Sequence, residues 1–205
     1  MNTPRPNSTP LLAALFLSLP ITSVSRADVK LPAVLASHMV LQQGIPLPIW
    51  GWAESGEKVT VRFDEQSATA VADAKGNWRV ELKPLKADGK AHRITVTGNN
   101  IIALEDVLIG EVWLGSGQSN MAYALGNSAN ELGSLPEIRL LQIPQKYEKK
   151  LMQDVEAEWK AFTPDNSRGF SAVLGYFGKR LNEDLNVPIG LPGEHLYKAR
   201  WLTEP

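Results

Sequence analysis

A chain of 205 residues with 43% hydrophobic and 21% charged residues has the composition of one or two folded domains, not of a disordered or fibrous polymer. A formal charge of −1 supplies no basic surface for nucleic acid and no acidic tail. With no cysteine in the chain, disulfides, thiol catalysis and thiolate metal ligation are all excluded.

Residues 1–27 read as a signal peptide: Arg5 gives a basic start, Leu11 to Leu19 an apolar run, and Ser25-Arg26-Ala27 a small-x-small cleavage site. A membrane anchor is the alternative. The run is about half of the ~20 residues that a spanning helix needs, and Pro20 interrupts it. Cleavage would start the mature chain near Asp28 and direct it to the periplasm or the exterior. No later segment is long and apolar enough to span a bilayer.

From 28 to 105 the pattern is strand and turn. "MVLQQ", "LPIWGWA", "KVTVRF", "ATAVADAKGNWRVEL" and "AHRITVTG" alternate with period two and are punctuated by Gly44, Gly51, Gly56, Gly76 and Gly98. Lys75-Gly76-Asn77 predicts a tight connection between two strands, with Trp78, Val80 and Leu82 on one face. Short strands with turn signals every ~8–12 residues predict a small all-β sandwich. The three tryptophans of this part, Trp50, Trp52 and Trp78, suit core packing and could also stack on sugars.

After Glu105 the character changes. "DVLIGEVWL" is nearly continuous apolar sequence, as in a strand buried on both faces of a parallel sheet, and "EIRLLQI" is a second short strand. Phe170, Val173, Leu174, Phe177, Leu181 and Leu185 then form one helical stripe, with Asn166 or Ser167 as its cap and Pro188 as its stop. "VPIGL" opens another buried strand, which Pro192-Gly193 should break. Strand, crossover, helix, strand predicts an α/β fold with a parallel sheet from residue 106 onward.

The first of these strands ends in "GEVWLGSGQSNM". A hydroxyl just past the C-terminal edge of a parallel strand lies where ligands bind in open α/β sheets. If a helical turn starts there, the backbone N–H of Ser119 becomes a donor for a developing oxyanion. Gly115 and Gly117 keep the approach bare. An ordinary strand-to-helix turn accounts for the same residues. Met121 departs from the Gly-x-Ser-x-Gly elbow, and no lysine follows the glycines as a phosphate loop requires.

"GEVWLGSGQSNM" closely resembles the first conserved block of the sialate O-acetylesterase family, within the SGNH-hydrolase superfamily. "SHMVLQQGIPLPIWGWAESGEKVTV", "NIIALEDVLIGEVWLGSGQSNM" and "GFSAVLGYFGKRLNEDLNVPIGL" extend the resemblance from about Leu31 to Leu191. It implies a β-sandwich over 28–105, the N-terminal part of an SGNH-type hydrolase domain over 106–191, and a divergent tail over 192–205. It further implies that Ser119 is the nucleophile and a backbone oxyanion donor toward the acetyl group of an O-acetylated glycan. Gly117, Gln118 and Asn120 would shape the turn and line the pocket, with no cofactor and no metal.

The family also uses a further glycine and asparagine, and an Asp-x-x-His, none of which is identifiable here. "PGEHLYKARWLTEP" reads as a truncation or frameshift, and the chain is expected to be inactive and aggregation-prone. His38 and His92 read as structural or solvated residues; His195 has Pro192, not an aspartate, three places before it. The alternatives are an acetylxylan or other polysaccharide acetylesterase, and a secreted, non-catalytic glycan-binding sandwich carrying a hydrolase remnant.

Overall fold

The computed structural model describes residues 28–129, 132–144 and 151–195, so the expected signal peptide and the tail past His195 lie outside the described residues. Strands β1 (Val40–Gln42), β2 (Leu47–Trp52), β3 (Lys58–Phe63), β4 (Gln66–Val71), β5 (Asn77–Leu82) and β6 (His92–Thr97) coincide with the alternating segments. β3 pairs antiparallel with β4 and β6, while β2 and β5 form a separate two-stranded antiparallel sheet. Leu47 and Ile49 of β2 and Trp78, Val80 and Leu82 of β5 share one core with Val59, Val61, Phe63, Ile94 and Val96. Period two places these residues on one face of each strand, and burying that face holds the two sheets together.

The Lys75-Gly76-Asn77 connection makes no hairpin. β4 and β5 belong to different sheets, and the turn carries the chain from one to the other. Asp73 fixes the turn by accepting the N–H groups of Lys75 and Asn77, both at 2.8 Å. The Asn77 N–H first, then the Asn77 side-chain amide, and to a lesser extent the Lys75 N–H hold the Asp73 carboxyl below the ordinary carboxylate range.

β7 (Ile101–Val112) runs through both halves of the described chain. Its first part pairs antiparallel with β6, and its last part runs parallel to β1 and to β11 (Ile189–His195). Asp106, at the expected boundary, lies inside this strand with φ +54°. β8 (Gly115–Gly117) continues β7 along β11, and β9 (Leu135–Ile143) flanks β11 on the other side. β10 (Trp159–Phe162) folds antiparallel onto β9. The result is a nine-stranded mixed sheet with two α-helices among the described residues, α1 (Pro164–Ser167) and α2 (Ala172–Leu185).

Three local expectations are corrected. Asn166 and Ser167 do not cap the long helix: Ser171 does, accepting the N–H of Leu174, while Thr163 caps the short α1. The single apolar stripe splits, because Val173, Phe177 and Leu185 are exposed, whereas Leu174, Gly175 and Gly178 face the sheet. Close approach decides this: a Cβ on Gly178 would stand 2.5 Å from Cδ1 of buried Leu191. Nor do Pro192 and Gly193 end β11, which continues to His195. Gly190 directs its carbonyl to the N–H of Trp113. By period two Pro192 faces the same side, opposite the gap between β7 and β8, so its missing N–H interrupts no ladder there.

Candidate active site

The polypeptide reaches Ser119 along a supported edge. β1 stops pairing with β7 at Gly110, and the side chain of Gln42 extends the ladder by accepting the N–H of Val112 at 2.8 Å. The amides of Gln42 and Gln43 each donate to Glu111 at 3.0 Å. On the other side Glu111 and Trp113 donate to the carbonyls of Pro188 and Gly190, both at 2.9 Å. β8 then pairs in register with β11, Gly115 with Gly193 and Gly117 with His195.

The glycines of β8 admit the neighbouring helix. A Cβ on Gly115 would lie 2.6 Å from a methyl of Leu174 on α2. At Gly117 the φ of +158° and a would-be Cβ 3.3 Å from that of Met121 favour the bare backbone. Gln118 is extended and exposed, without a side-chain cap, and a 3₁₀ turn spans Ser119–Ala122. The segment that follows is tied to the start of α2: Ala172 donates to Tyr123 O, Leu125 to Phe170 O, and Ser171 Oγ to Met121 Sδ at 3.2 Å.

Ser119 therefore sits at the C-terminal rim of the sheet, exposed, with φ +54°. The left-handed region is unfavourable for a residue with a Cβ, so the turn holds this serine in a conformation that it does not prefer. Among the described residues its Oγ has no hydrogen-bond partner, and the side chains of Gln118 and Asn120, both exposed, have none either. Asn120 contributes its carbonyl to the N–H of Tyr123. Two cavities, of about 660 and 640 Å³, lie away from Ser119.

The histidines are engaged elsewhere. His38 Nδ1 is 2.8 Å from Asp106 Oδ2, near the start of the parallel part of β7. Some ten strand residues, on the order of 30 Å, separate it from the Ser119 end. His92 is not a solvated edge residue: its ring is mostly buried, 2.9 Å from Asp64, 3.1 Å from Asp88 and edge-on to Phe63. The backbone of His195 pairs with Gly117, two residues short of Ser119. Among the described residues no group of three or more histidines and acids is placed to hold a metal ion.

Sequence reasoning missed one charged cluster. Arg139 of β9, only 7% exposed, makes a two-point contact with Asp106 of β7, although β11 lies between the two strands. The partners are 33 residues apart, and no local pattern announces such a pair. Trp113 and Phe177 meet edge to face at 5.5 Å, which places an exposed aromatic pair beside the strand that leads to Ser119.

No protein-family model matches the chain. It is 31% identical to the sialate O-acetylesterase of Rattus norvegicus over 93% of its own length, and 30% identical to that of Homo sapiens over 79%. The crystal structure of a carbohydrate acetylesterase from Xanthomonas citri matches with a TM-score of 0.77 at 34% identity, covering 80% of this chain and 40% of that one. The chain spans about two-fifths of the length of these relatives, 39% of the rat protein and 36% of the human one. Over most of its own length, the chain is a homologue of the sialate O-acetylesterases.

Proposed function

We propose that this chain carries the nucleophile-bearing part of a carbohydrate O-acetylesterase, with Ser119 as nucleophile. In this reading Ser119 Oγ adds to the acetyl carbonyl as its hydroxyl gives up a proton, and the bond to the sugar oxygen breaks as that oxygen takes up the proton given up by the serine. Water then hydrolyses the acetyl-serine to acetate. The backbone N–H of Ser119 would face the oxyanion, and Gly117, Gln118 and Asn120 would shape the turn and border the acetyl pocket. The supporting observation is the exposed, left-handed Ser119 at the C-terminal end of a parallel strand, in a chain homologous to esterases. No cofactor enters this chemistry.

Two further readings accompany it. Residues 28–105, with the start of β7, are taken as an all-β sandwich against which an SGNH-type sheet is built from residue 106 onward. The chain is taken as secreted or periplasmic, on the leader-like pattern of residues 1–27.

The test is acetate release from O-acetylated sialic acid and from acetylxylan, comparing the chain with Ser119→Ala. No histidine or carboxylate bonds to Ser119 among the described residues, so the absolute rate is expected to be low and the ratio carries the test. Loss of the hydroxyl should reduce the rate at least about tenfold, less than the ~10³ or more forfeited where a full triad acts. Equal rates on both substrates would remove Ser119 from the chemistry, and the better substrate identifies the sugar class.

A further inference from the structure

The outer face of the β2–β5 sheet is a second surface with a ligand's chemistry. In β2 the inward residues Leu47 and Ile49 are fully buried, so the alternate positions, Trp50 and Trp52, face outward and are only half-buried. They stand two residues apart on one face, about 7 Å along the strand. Across the ladder they are opposite Arg79 and Asn77 of β5. Trp50, Trp52, Asn77, Arg79 and Asp73 line one cavity of about 640 Å³, within the ordinary range for small-ligand sites.

The polar groups around the indoles are planar, oriented and incompletely used. Asn77 donates its side-chain amide to Asp73, which as a carboxylate can only accept. That fixes the amide's orientation and leaves Asn77 Oδ1 as an acceptor with no partner among the described residues. Arg79 gives Nη2 to Glu81 at 2.7 Å, while Nε and Nη1 have no partner among the described residues.

The backbone beneath is held on both sides. Trp52 pairs with Asn77 in the ladder and exchanges two hydrogen bonds with Lys30, at 2.8 and 2.9 Å. No aromatic ring stacks on Trp50 or Trp52 among the described residues. A rigid platform loses little freedom when a ligand settles on it.

From this arrangement we infer that the outer face of the β2–β5 sheet binds a neutral oligosaccharide chain, its sugar rings lying on Trp50 and Trp52 and its hydroxyls meeting Asn77 and Arg79. The apolar faces of pyranose rings suit indoles, and sugar hydroxyls suit the free N–H donors of a guanidinium and the carbonyl of an amide. Local charge selects a neutral chain: Glu81 balances Arg79, and the Asp73 carboxylate is taken up by the turn. The site lies on a different sheet from Ser119 and does not depend on its chemistry.

The experiment titrates the full chain with soluble cello-, xylo- and manno-oligosaccharides and with oligosialic acid. It follows the indole N–H resonances by NMR and the affinity by calorimetry. At least one neutral oligosaccharide should shift the resonances of Trp50 and Trp52 and leave that of Trp113 in place. Trp50→Ala/Trp52→Ala should raise Kd about tenfold or more, the scale of losing central aromatic contacts, and Ser119→Ala should bind as the parent does. Because Trp50 also packs against the core, the resonance shifts in the unaltered chain keep the test independent of how the variant folds. The inference fails if no neutral oligosaccharide binds, if only oligosialic acid binds, if the shifts fall on Trp113 instead, or if Ser119→Ala removes the binding.

Discussion

Replacing Asp106 by asparagine tests what joins the outer strand β9 to β7. Arg139 is almost wholly buried, and among the described residues it has, besides Asp106, only a contact from Nε to the carbonyl of Pro136 at 3.1 Å. Removing one partner of a buried ion pair commonly costs 3–5 kcal/mol, because the other charge is left without compensation. Asp106 is about one-third exposed, so water can reach part of the freed guanidinium. The expected loss is therefore smaller, about 2–3 kcal/mol. Asparagine tolerates the left-handed φ at this position, which separates the charge effect from backbone strain. Arg139→Met should cost less, about 1 kcal/mol, since the remaining carboxylate can hydrate. In a double-mutant cycle the two losses should fall short of additivity by about 1–2 kcal/mol.

The pH dependence has a defined sign. Arg139 first, and then His38, hold the Asp106 carboxyl below its ordinary value, against an opposing effect of burial. A group depressed on folding stabilises above its unfolded pKa, and that contribution is lost as pH falls through the lower, folded value. Urea unfolding followed by tryptophan fluorescence should thus show the gap between parent and Asp106→Asn closing below the ordinary carboxylate range, near pH ~3.9. A variant within 0.5 kcal/mol of the parent at neutral pH would refute the argument, as would a gap that widens in acid.

Two further substitutions probe the strands that carry the serine. In Gly110→Ala the new Cβ would stand 1.9 Å from the carbonyl oxygen of Pro188, a backbone atom that cannot swing aside. Overpacking should outweigh the better strand propensity and destabilise by about 1–2 kcal/mol, with faster hydrogen exchange at the Glu111 amide bonded to Pro188; unchanged exchange would contradict the close approach. Ser119→Gly should stabilise by roughly 0.5–1 kcal/mol, because it relieves the left-handed strain and gives back only part of that in unfolded-chain entropy. A lower urea midpoint for this variant would mean that the turn holds Ser119 without strain.

Much of the strand layout is legible because period two is a local signal. "LPIWGW", "KVTVRF" and "NWRVEL" show their buried faces in six residues each, and those faces meet in one core. Partnering is not local. The Lys75-Gly76-Asn77 turn has the residues of a hairpin, yet the chain exchanges sheets there, because the inward faces of β4 and β5 serve opposite layers. α2 misleads for a related reason. Apolar periodicity nominates Phe177, but the helix nears the sheet through Gly175 and Gly178, where the missing side chains and not hydrophobicity set the contact. β10 depends on its pairing with β9, since "WKAF" alone carries too little alternation to announce a strand.

The position of the serine is easier to read than its conformation. A buried apolar strand running into glycines places Ser119 at the rim, but nothing in "GQSN" specifies φ +54°. That angle follows from the surroundings: β8 is held by β11, Gly115 lies against Leu174, and the 3₁₀ turn is anchored through Met121 and Tyr123 to the start of α2. Strain of this kind survives only where the flanking structure over-determines it. The bonds from Gln42, Pro188 and Gly190 to the end of β7 then gain a purpose beyond sheet stability, since a looser strand would let the serine relax into a favourable region and turn its hydroxyl away from the rim. Rigid support on both edges of β7, and not any partner of Ser119 itself, is what presents the hydroxyl to solvent.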